Sequence, residues 1–203
     1  PHLLADLLDV LSSAQDRIQL SCDQYPYGAG STLLSALLPP YAFDGGPQAT
    51  LERVTDRGER ERMARDMHHG LPGWENLFAA CGPENVVITQ AGGARCDAVA
   101  KTVAQLADVT NTDPAFAVID LLRDTSLDAA MIDHYSTETV VREIFTGSGA
   151  LVGSDGVFNP HPHPRLYGTA PRVLGRYALR ENLIDVTEAV RRLSTGPAQI
   201  LGL

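Results

Sequence analysis

The sequence predicts an α/β protein built on a parallel sheet, because the same order of elements occurs near both ends of the chain. Near the beginning, a helix with leucines on one face precedes an alternating segment at residues 18–22 and a polar loop at 23–32. Near the end, apolar segments at residues 129–132 and 150–152 each run into polar residues. Strands that alternate with helices are typical of parallel sheets.

Between these two regions the pattern is irregular. A charged helix is predicted at residues 50–67 and a short strand at residues 86–88. Because the chain begins directly in a helical pattern and ends on apolar residues, we expect it to be a portion of a longer polypeptide. We predict three segments: residues 1–32, an inserted small α/β subdomain at 33–128, and residues 129–203.

Three helix boundaries are indicated by single side chains. Ser136 is predicted to be the N-cap of a helix at residues 137–145, because its hydroxyl can accept a hydrogen bond from the first turn. Pro171 is predicted to open a helix that carries Val173 and Tyr177. Asp185 and Glu188 have the spacing of a capping box at the start of the last helical segment.

The composition argues against several classes of partner. The 203 residues have a formal net charge of −9, a sequence pI of about 5.0 and a single lysine, Lys101. Nucleic acids and anionic membranes attract clustered Lys and Arg, so neither is an expected partner. The three separated cysteines form no disulfide framework, and no apolar run approaches the length of a membrane span. We expect a cytoplasmic protein.

Asp155 is the residue most strongly indicated for chemistry. It follows the apolar residues 150–152, and in parallel α/β folds ligands gather where the strands deliver their C-terminal ends. A carboxylate there is costly unless it meets a metal, a cation or several donors. Taken alone, a loop aspartate that makes a local turn is an equally good interpretation. His134, at another predicted strand end, is either a ligand or, more often in proteins, a structural histidine.

The segment HPHPR at residues 161–165 carries two imidazoles and a guanidinium. Two histidines in this spacing can bind one metal from an extended strand, but the prolines favour a stiff loop that aims Arg165. Arg165 can hold a substrate carboxylate through two parallel hydrogen bonds, and a surface ion pair is the alternative. Tyr25 and Ser31 lie in the first polar loop, where their hydroxyls serve either the same site or turn packing.

Five blocks of this sequence resemble the D-aminoacylase family, the N-acyl-D-amino-acid deacylases of the amidohydrolase superfamily. The blocks keep the order of the family and are spread over most of the chain, which makes chance agreement improbable. The closing segment, from Glu188 to Leu203, is similar to the end of the family's barrel. The blocks are DQYPY at residues 23–27, AGST at 29–32, VGSDG at 152–156, HPRLYGT at 163–169 and PRVL at 171–174.

The resemblance implies that this chain is the C-terminal part of a metal-dependent (β/α)8 barrel with an inserted small α/β subdomain. Residues 18–22 would then be the seventh barrel strand, and residues 150–153 the eighth. In the family, the residue that matches Asp155 touches the metal site and acts as general base and acid. The residues that match Tyr25, Ser31 and Arg165 orient the acylated D-amino acid, with Arg165 on its carboxylate.

The resemblance also implies a cofactor and partners. The intact enzyme would use zinc to hydrolyse small N-acyl-D-amino acids, and its principal zinc ligands would lie upstream of Pro1. Asp155 is the one metal-site residue expected in this chain. Its protein partner would be the remainder of the barrel or further copies of itself. The sequence leaves two alternative functions open: a non-catalytic interaction module, and a cyclic-amide hydrolase of the same superfamily.

Overall fold

The computed structural model describes residues 3–158 and 160–203, and this part of the chain forms two compact units. The predicted segment boundaries, after residues 32 and 128, both fall within unit 2. We call the units unit 1 and unit 2. Unit 1 contains the described residues up to Gly28 together with Ser136–Phe158 and His163–Leu203, and unit 2 contains Ala29–Tyr135 with residues 160–162.

The described helices and strands are mostly short, and several of the helices are only one or two turns long. Two stretches of the last third, Arg172–Arg180 and Arg191–Thr195, are π-helical. In chain order the α-helices and strands are α1 (Leu4–Gln15), β1 (Asp23–Gln24), β2 (Ala29–Leu33), α2 (Gly46–Thr55), α3 (Arg57–His69), α4 (Leu77–Cys81), β3 (Val86–Ala91), α5 (Val103–Thr110), α6 (Pro114–Asp124), β4 (Ala129–His134), α7 (Glu138–Gly147), β5 (Leu151–Val152), α8 (Arg165–Pro171), α9 (Val186–Val190) and α10 (Gly196–Ile200).

Unit 2 contains a three-stranded sheet in the order β2-β4-β3, and both pairings are antiparallel. The expectation that residues 129–132 form a parallel strand is therefore wrong. Their apolar pattern is right for a buried strand, but it carries no information on the direction of the neighbouring strands. Ala29 pairs with His134, so the two ends of the main segment of unit 2 lie side by side.

The core of unit 2 is formed by twenty-four buried apolar residues. Helix α6 contributes six of its eleven residues to the buried set, among them Ile119. This helix has clear local causes, because Asp113 accepts a hydrogen bond from the amide of Ala115 and Pro114 occupies the first turn. The single charged helix predicted at residues 50–67 is instead two helices, separated at Asp56, whose carboxylate caps α3.

Unit 1 contains a two-stranded parallel sheet in which β1 pairs with β5. The parallel pairing of these two regions is as predicted, but the strand expected at residues 18–22 is not formed. Ile18 is 60% exposed, and the pairing begins only where Asp23 meets Leu151. Alternation of apolar and polar residues is therefore insufficient here, because a strand also needs a partner along its length.

The helices of unit 1 begin at other residues than predicted. The N-cap of α7 is Thr137, whose hydroxyl accepts from the amide of Val140, and not Ser136. Pro171 does not open a helix, because α8 already begins at Arg165. Pro171 lacks an amide hydrogen, and the helix continues beyond it in π-helical geometry. Asp185 caps α9 as predicted, with an oxygen 2.7 Å from the amide of Glu188.

The described strands form one two-stranded and one three-stranded sheet, so the described part of the chain is a mixed α/β fold without a closed barrel. A small core packs inside unit 1, and its buried members are Phe145, Val173, Tyr177, Ala178 and Ala189. Within residues 3–158 and 160–203, no helix combines the length and the apolar character needed to cross a membrane.

Candidate functional site

Asp155 lies in the turn that follows β5. Its backbone is left-handed, with φ of 44°, a conformation that aspartate tolerates better than most residues. The turn is closely packed on its strand side, because a Cβ atom on Gly153 would collide with the carboxylate of Asp23. The side chain of Asp155 itself is 66% exposed. The turn thus presents a carboxylate to solvent from the end of a parallel strand.

Arg165 brings a positive charge to this carboxylate. Its Nη2 atom lies 2.9 Å from Oδ2 of Asp155, although its own side chain is only 4% exposed. The Cζ atom lies 4.6 Å from the centre of the Tyr25 ring, which gives the buried cation an aromatic face as well as a carboxylate. Arg165 is therefore ion-paired, as the alternative interpretation expected, but it is buried and not on the surface.

His163 and Tyr27 support the first residue of α8. The Nδ1 atom of His163 accepts a hydrogen bond from the backbone amide of Arg165 at 3.0 Å, and the imidazole is buried. The Tyr27 ring meets this imidazole edge to face, with 5.2 Å between the ring centres. From the sequence, His163 was considered only as one of a possible metal-binding pair, and no role was assigned to Tyr27. The available signal was the pair of matched blocks, DQYPY and HPRLYGT, in which both residues occur.

A network of charged groups lies beside Tyr27 in unit 1. The Arg172 guanidinium stacks 4.8 Å from the centre of the Tyr27 ring and donates to Glu138 at 2.6 Å. Arg142 and the Tyr177 hydroxyl also donate to this carboxylate, at 2.9 and 3.0 Å. Burial opposes the ionisation of Glu138, but these donors and the charge of Arg172 outweigh it and hold its pKa below the ordinary value.

The predicted site residues fall in both units. Tyr25, Asp155 and Arg165 are in contact in unit 1, whereas Ser31 is a buried residue of β2 in unit 2. His134 ends β4 and is exposed. The two histidines of the HPHPR segment have different hydrogen-bond partners, because Nδ1 of His161 bonds the carbonyl of Thr89.

The described residues do not make a zinc site by themselves. Nowhere in residues 3–158 and 160–203 do three or more His, Cys, Asp or Glu side chains converge as metal ligands. A catalytic zinc ion needs about three protein ligands. The carboxylate of Asp155 is engaged by Arg165.

Comparisons with known proteins were made for sequence and for structure. No protein-family model matches the chain. An N-acyl-D-glutamate deacylase from Alcaligenes xylosoxydans xylosoxydans is 46% identical over 67 residues, which are 32% of this chain and 14% of that protein. A D-aminoacylase from the same organism is 27% identical over 201 residues, which are 98% of this chain and 31% of that protein.

Solved structures show the same likeness. A D-aminoacylase studied for its binuclear metal centre has a TM-score of 0.67 and 24% identity, over 98% of this chain and 32% of that one. An N-acyl-D-glutamate deacylase from Bordetella bronchiseptica, solved with zinc and a phosphonate inhibitor, has a TM-score of 0.65 and 24% identity, with the same coverage. The chain spans about a third of these proteins at most. The resemblance to the D-aminoacylases, as a partial match, is confirmed.

Proposed function

We propose that this chain is the C-terminal part of a zinc-dependent N-acyl-D-amino-acid deacylase. It supplies the general base and the substrate clamp, while the main zinc ligands lie in another part of the polypeptide. The contact between Asp155 and the buried Arg165, next to the ring of Tyr25, carries this proposal. A proton acceptor beside a cation that binds carboxylates supports this proposal, because cleavage of an N-acyl amino acid involves proton transfer and the substrate carries a carboxylate.

The same proposal covers the fold. The parallel pair β1 and β5 is the part of a (β/α)8 barrel that this chain contributes, and unit 2 is the subdomain inserted between the two strands. The match to about a third of D-aminoacylase structures, over 98% of this chain, supports this assignment. In such barrels the active site lies at the C-terminal ends of the strands, which is where Asp155 follows β5.

Asp155 carries the proton transfers in this mechanism. Its exposed carboxylate takes a proton from the attacking water and returns it to the nitrogen of the leaving amine as the amide bond breaks. Zinc, when bound in the intact enzyme, supplies Lewis-acid activation of that water. The products are a D-amino acid and a carboxylic acid.

Arg165 binds the α-carboxylate of the substrate. Its guanidinium has donors on several edges, and the bond from Nη2 to Asp155 occupies one end of the fork. Tyr25 holds the guanidinium against its ring face. Its hydroxyl donates a hydrogen bond to the developing oxyanion. The resemblance also assigns substrate orientation to Ser31, a buried residue of β2, and that role stays a prediction.

The test is hydrolysis of N-acetyl-D-amino acids, with the L-enantiomers as reference, by the zinc-loaded full-length polypeptide that contains this chain. Removing the base with Asp155→Asn should lower kcat by about 100- to 10,000-fold. Asp9→Asn, which alters an exposed aspartate of α1 in the same unit, should stay near the wild-type rate. An ordinary rate in Asp155→Asn would overturn the assignment of the base, and a wild type inactive on D-substrates would overturn the function.

A further inference from the structure

We propose that His163 is a positioning residue that fixes Arg165 for the α-carboxylate of the substrate. The inference rests on the function proposed above and extends it to a side chain that acts through Arg165. His163 acts through its hydrogen bond to the backbone of Arg165, in which Nδ1 accepts the amide hydrogen at 3.0 Å.

The need for this hydrogen bond follows from the start of α8. The first amide groups of a helix have no acceptor within the helix, and an N-cap side chain normally supplies one. Here the N-cap is Pro164, whose side chain has no acceptor. His163, one residue earlier, provides the acceptor, and its bond reaches the amide of the residue whose guanidinium forms the proposed clamp. The backbone amide that His163 binds and the guanidinium proposed to bind the substrate thus belong to the same residue, Arg165.

The imidazole is itself held in place. It is buried, with 5% of its surface exposed, and the Tyr27 ring meets it edge to face at 5.2 Å. Tyr27 is held in turn by α8, because a Cβ atom on Gly168 would lie only 2.5 Å from the Tyr27 hydroxyl oxygen. Tyr27 therefore packs against α8 at Gly168 while its ring orients His163. Tyr27, His163 and Gly168 thus pack together at the start of α8, and we call these three residues the cage.

Such a cage matters because a guanidinium binds a carboxylate through two parallel hydrogen bonds, whose geometry tolerates little displacement. The ring of Tyr25 sets one face of the Arg165 guanidinium, and His163 sets the backbone from which the side chain extends. Loss of the His163 acceptor should displace the guanidinium from its binding position. Asp155 pairs with this guanidinium but stands on a different segment, so a change in its ion pair should affect substrates with and without an α-carboxylate alike.

Two substitutions separate this role from simple packing. His163→Asn places an amide oxygen close to the position of Nδ1 and keeps an acceptor for the Arg165 amide. His163→Gln places its amide near Nε2 and removes that acceptor. We expect His163→Gln to lower kcat/KM for N-acetyl-D-amino acids by about tenfold, mainly through KM, since one hydrogen bond is lost. His163→Asn should stay within about twofold of the wild type, because its hydrogen bond is retained.

The same variants are compared on a substrate analogue whose α-carboxylate is converted to a carboxamide. Because this analogue makes no ion pair with Arg165, its hydrolysis should fall less in His163→Gln than that of the carboxylate substrate, and what loss remains should reflect the ion pair of Arg165 with Asp155. In an Arg165→Ala background, His163→Gln should have no further effect on either substrate, since the residue through which it acts is absent. If His163→Gln does not fold, Gly168→Ala tests the same cage by displacing Tyr27, with a smaller loss of the same kind.

Three outcomes overturn the inference. These are equal losses in the Asn and Gln variants, equal losses on the carboxylate and carboxamide substrates, or an undiminished loss in the Arg165→Ala background. A wild type that hydrolyses no N-acyl-D-amino acid overturns the proposed function, and the inference with it. An active wild type whose variants fail to discriminate overturns the inference alone.

Discussion

Unit 2 and unit 1 bury their interiors with different chemistry. Unit 2 has twenty-four buried apolar residues in one core, whereas the core of unit 1 has five. Most of the exposed large apolar side chains belong to unit 1, among them Leu3, Val10, Phe158 and Leu201. Unit 2 therefore has the interior of an independent domain.

Charged groups contact the small apolar core of unit 1. Glu138 receives hydrogen bonds from Arg142, Arg172 and the hydroxyl of Tyr177. Arg192 is buried and donates to the carbonyl of Ala150 and to the carboxylate of Glu188. The comparison teaches that stability and proposed chemistry are divided. Unit 2 carries the larger apolar core, and unit 1 carries the ion pair proposed to do catalysis, while ion pairs as such occur in both units.

The largest expected effect follows from cutting the chain at the ends of unit 2. A polypeptide of residues 29–135 should fold and unfold cooperatively, because its core is its own and Ala29 already pairs with His134. The matched deletion variant lacks residues 29–135 and joins Gly28 to Ser136, whose backbone amide donates a hydrogen bond to the Gly28 carbonyl at 2.9 Å. It should show no cooperative transition by circular dichroism. The assignment of the larger core to unit 2 is contradicted if the variant without residues 29–135 melts cooperatively and the polypeptide of residues 29–135 does not.

The next effect concerns the core of unit 2. Ile119 is fully buried, and Ile119→Ala should lower the free energy of unfolding by about 2–5 kcal/mol through the lost burial and the cavity left behind. Val109→Ala removes an apolar side chain that is 70% exposed in the same unit, and it should change the stability little. Chemical denaturation of residues 29–135 measures both. Equal effects of the two substitutions would contradict the assigned core.

A smaller effect concerns the pH dependence of unit 1. Because the pKa of Glu138 is held below its ordinary value of 4.5, its ionised form stabilises the folded state. This stabilisation is complete above pH 4.5 and is lost as the pH falls through the lowered pKa. Thermal unfolding of the full-length protein between pH 7 and pH 3 should show this loss in the wild type. Glu138→Gln should reduce the slope, whereas Glu143→Gln, an exposed glutamate of the same helix, should leave it unchanged.

The sequence predicted the kinds of elements better than their partners. The helix α1, the strand β3 and the capping of α9 by Asp185 follow from local patterns and are present. The direction of β4 could not be predicted, because its neighbours lie far from it along the chain. The segment at residues 18–22 alternates like a strand but forms none, and its contact with β5 is the hydrogen bond that the Cys22 carbonyl accepts from the amide of Leu151. Pairing depends on tertiary contacts that a local pattern does not contain.

The candidate site shows the same division. Tyr25, Asp155 and Arg165 were selected from the sequence, and the structure brings them into contact. That Asp155 and Arg165 pair with each other was not predicted, since nothing local tells a carboxylate which guanidinium it will meet. His163 was considered only as half of a metal pair, whereas its observed partner is a backbone amide. A side chain that acts on the backbone leaves little trace in the residue pattern.

The most direct test of the central claim, that unit 1 carries the carboxylate clamp, is the ratio of kcat/KM for an N-acetyl-D-amino acid and its carboxamide in Arg165→Ala. We expect the ratio to fall by about 10- to 100-fold, because the substitution removes charge-assisted hydrogen bonds made only to the carboxylate. The control is Arg180→Ala, which alters an exposed arginine of the same unit and should leave the ratio unchanged. A ratio that is the same in the wild type and in Arg165→Ala would contradict the account.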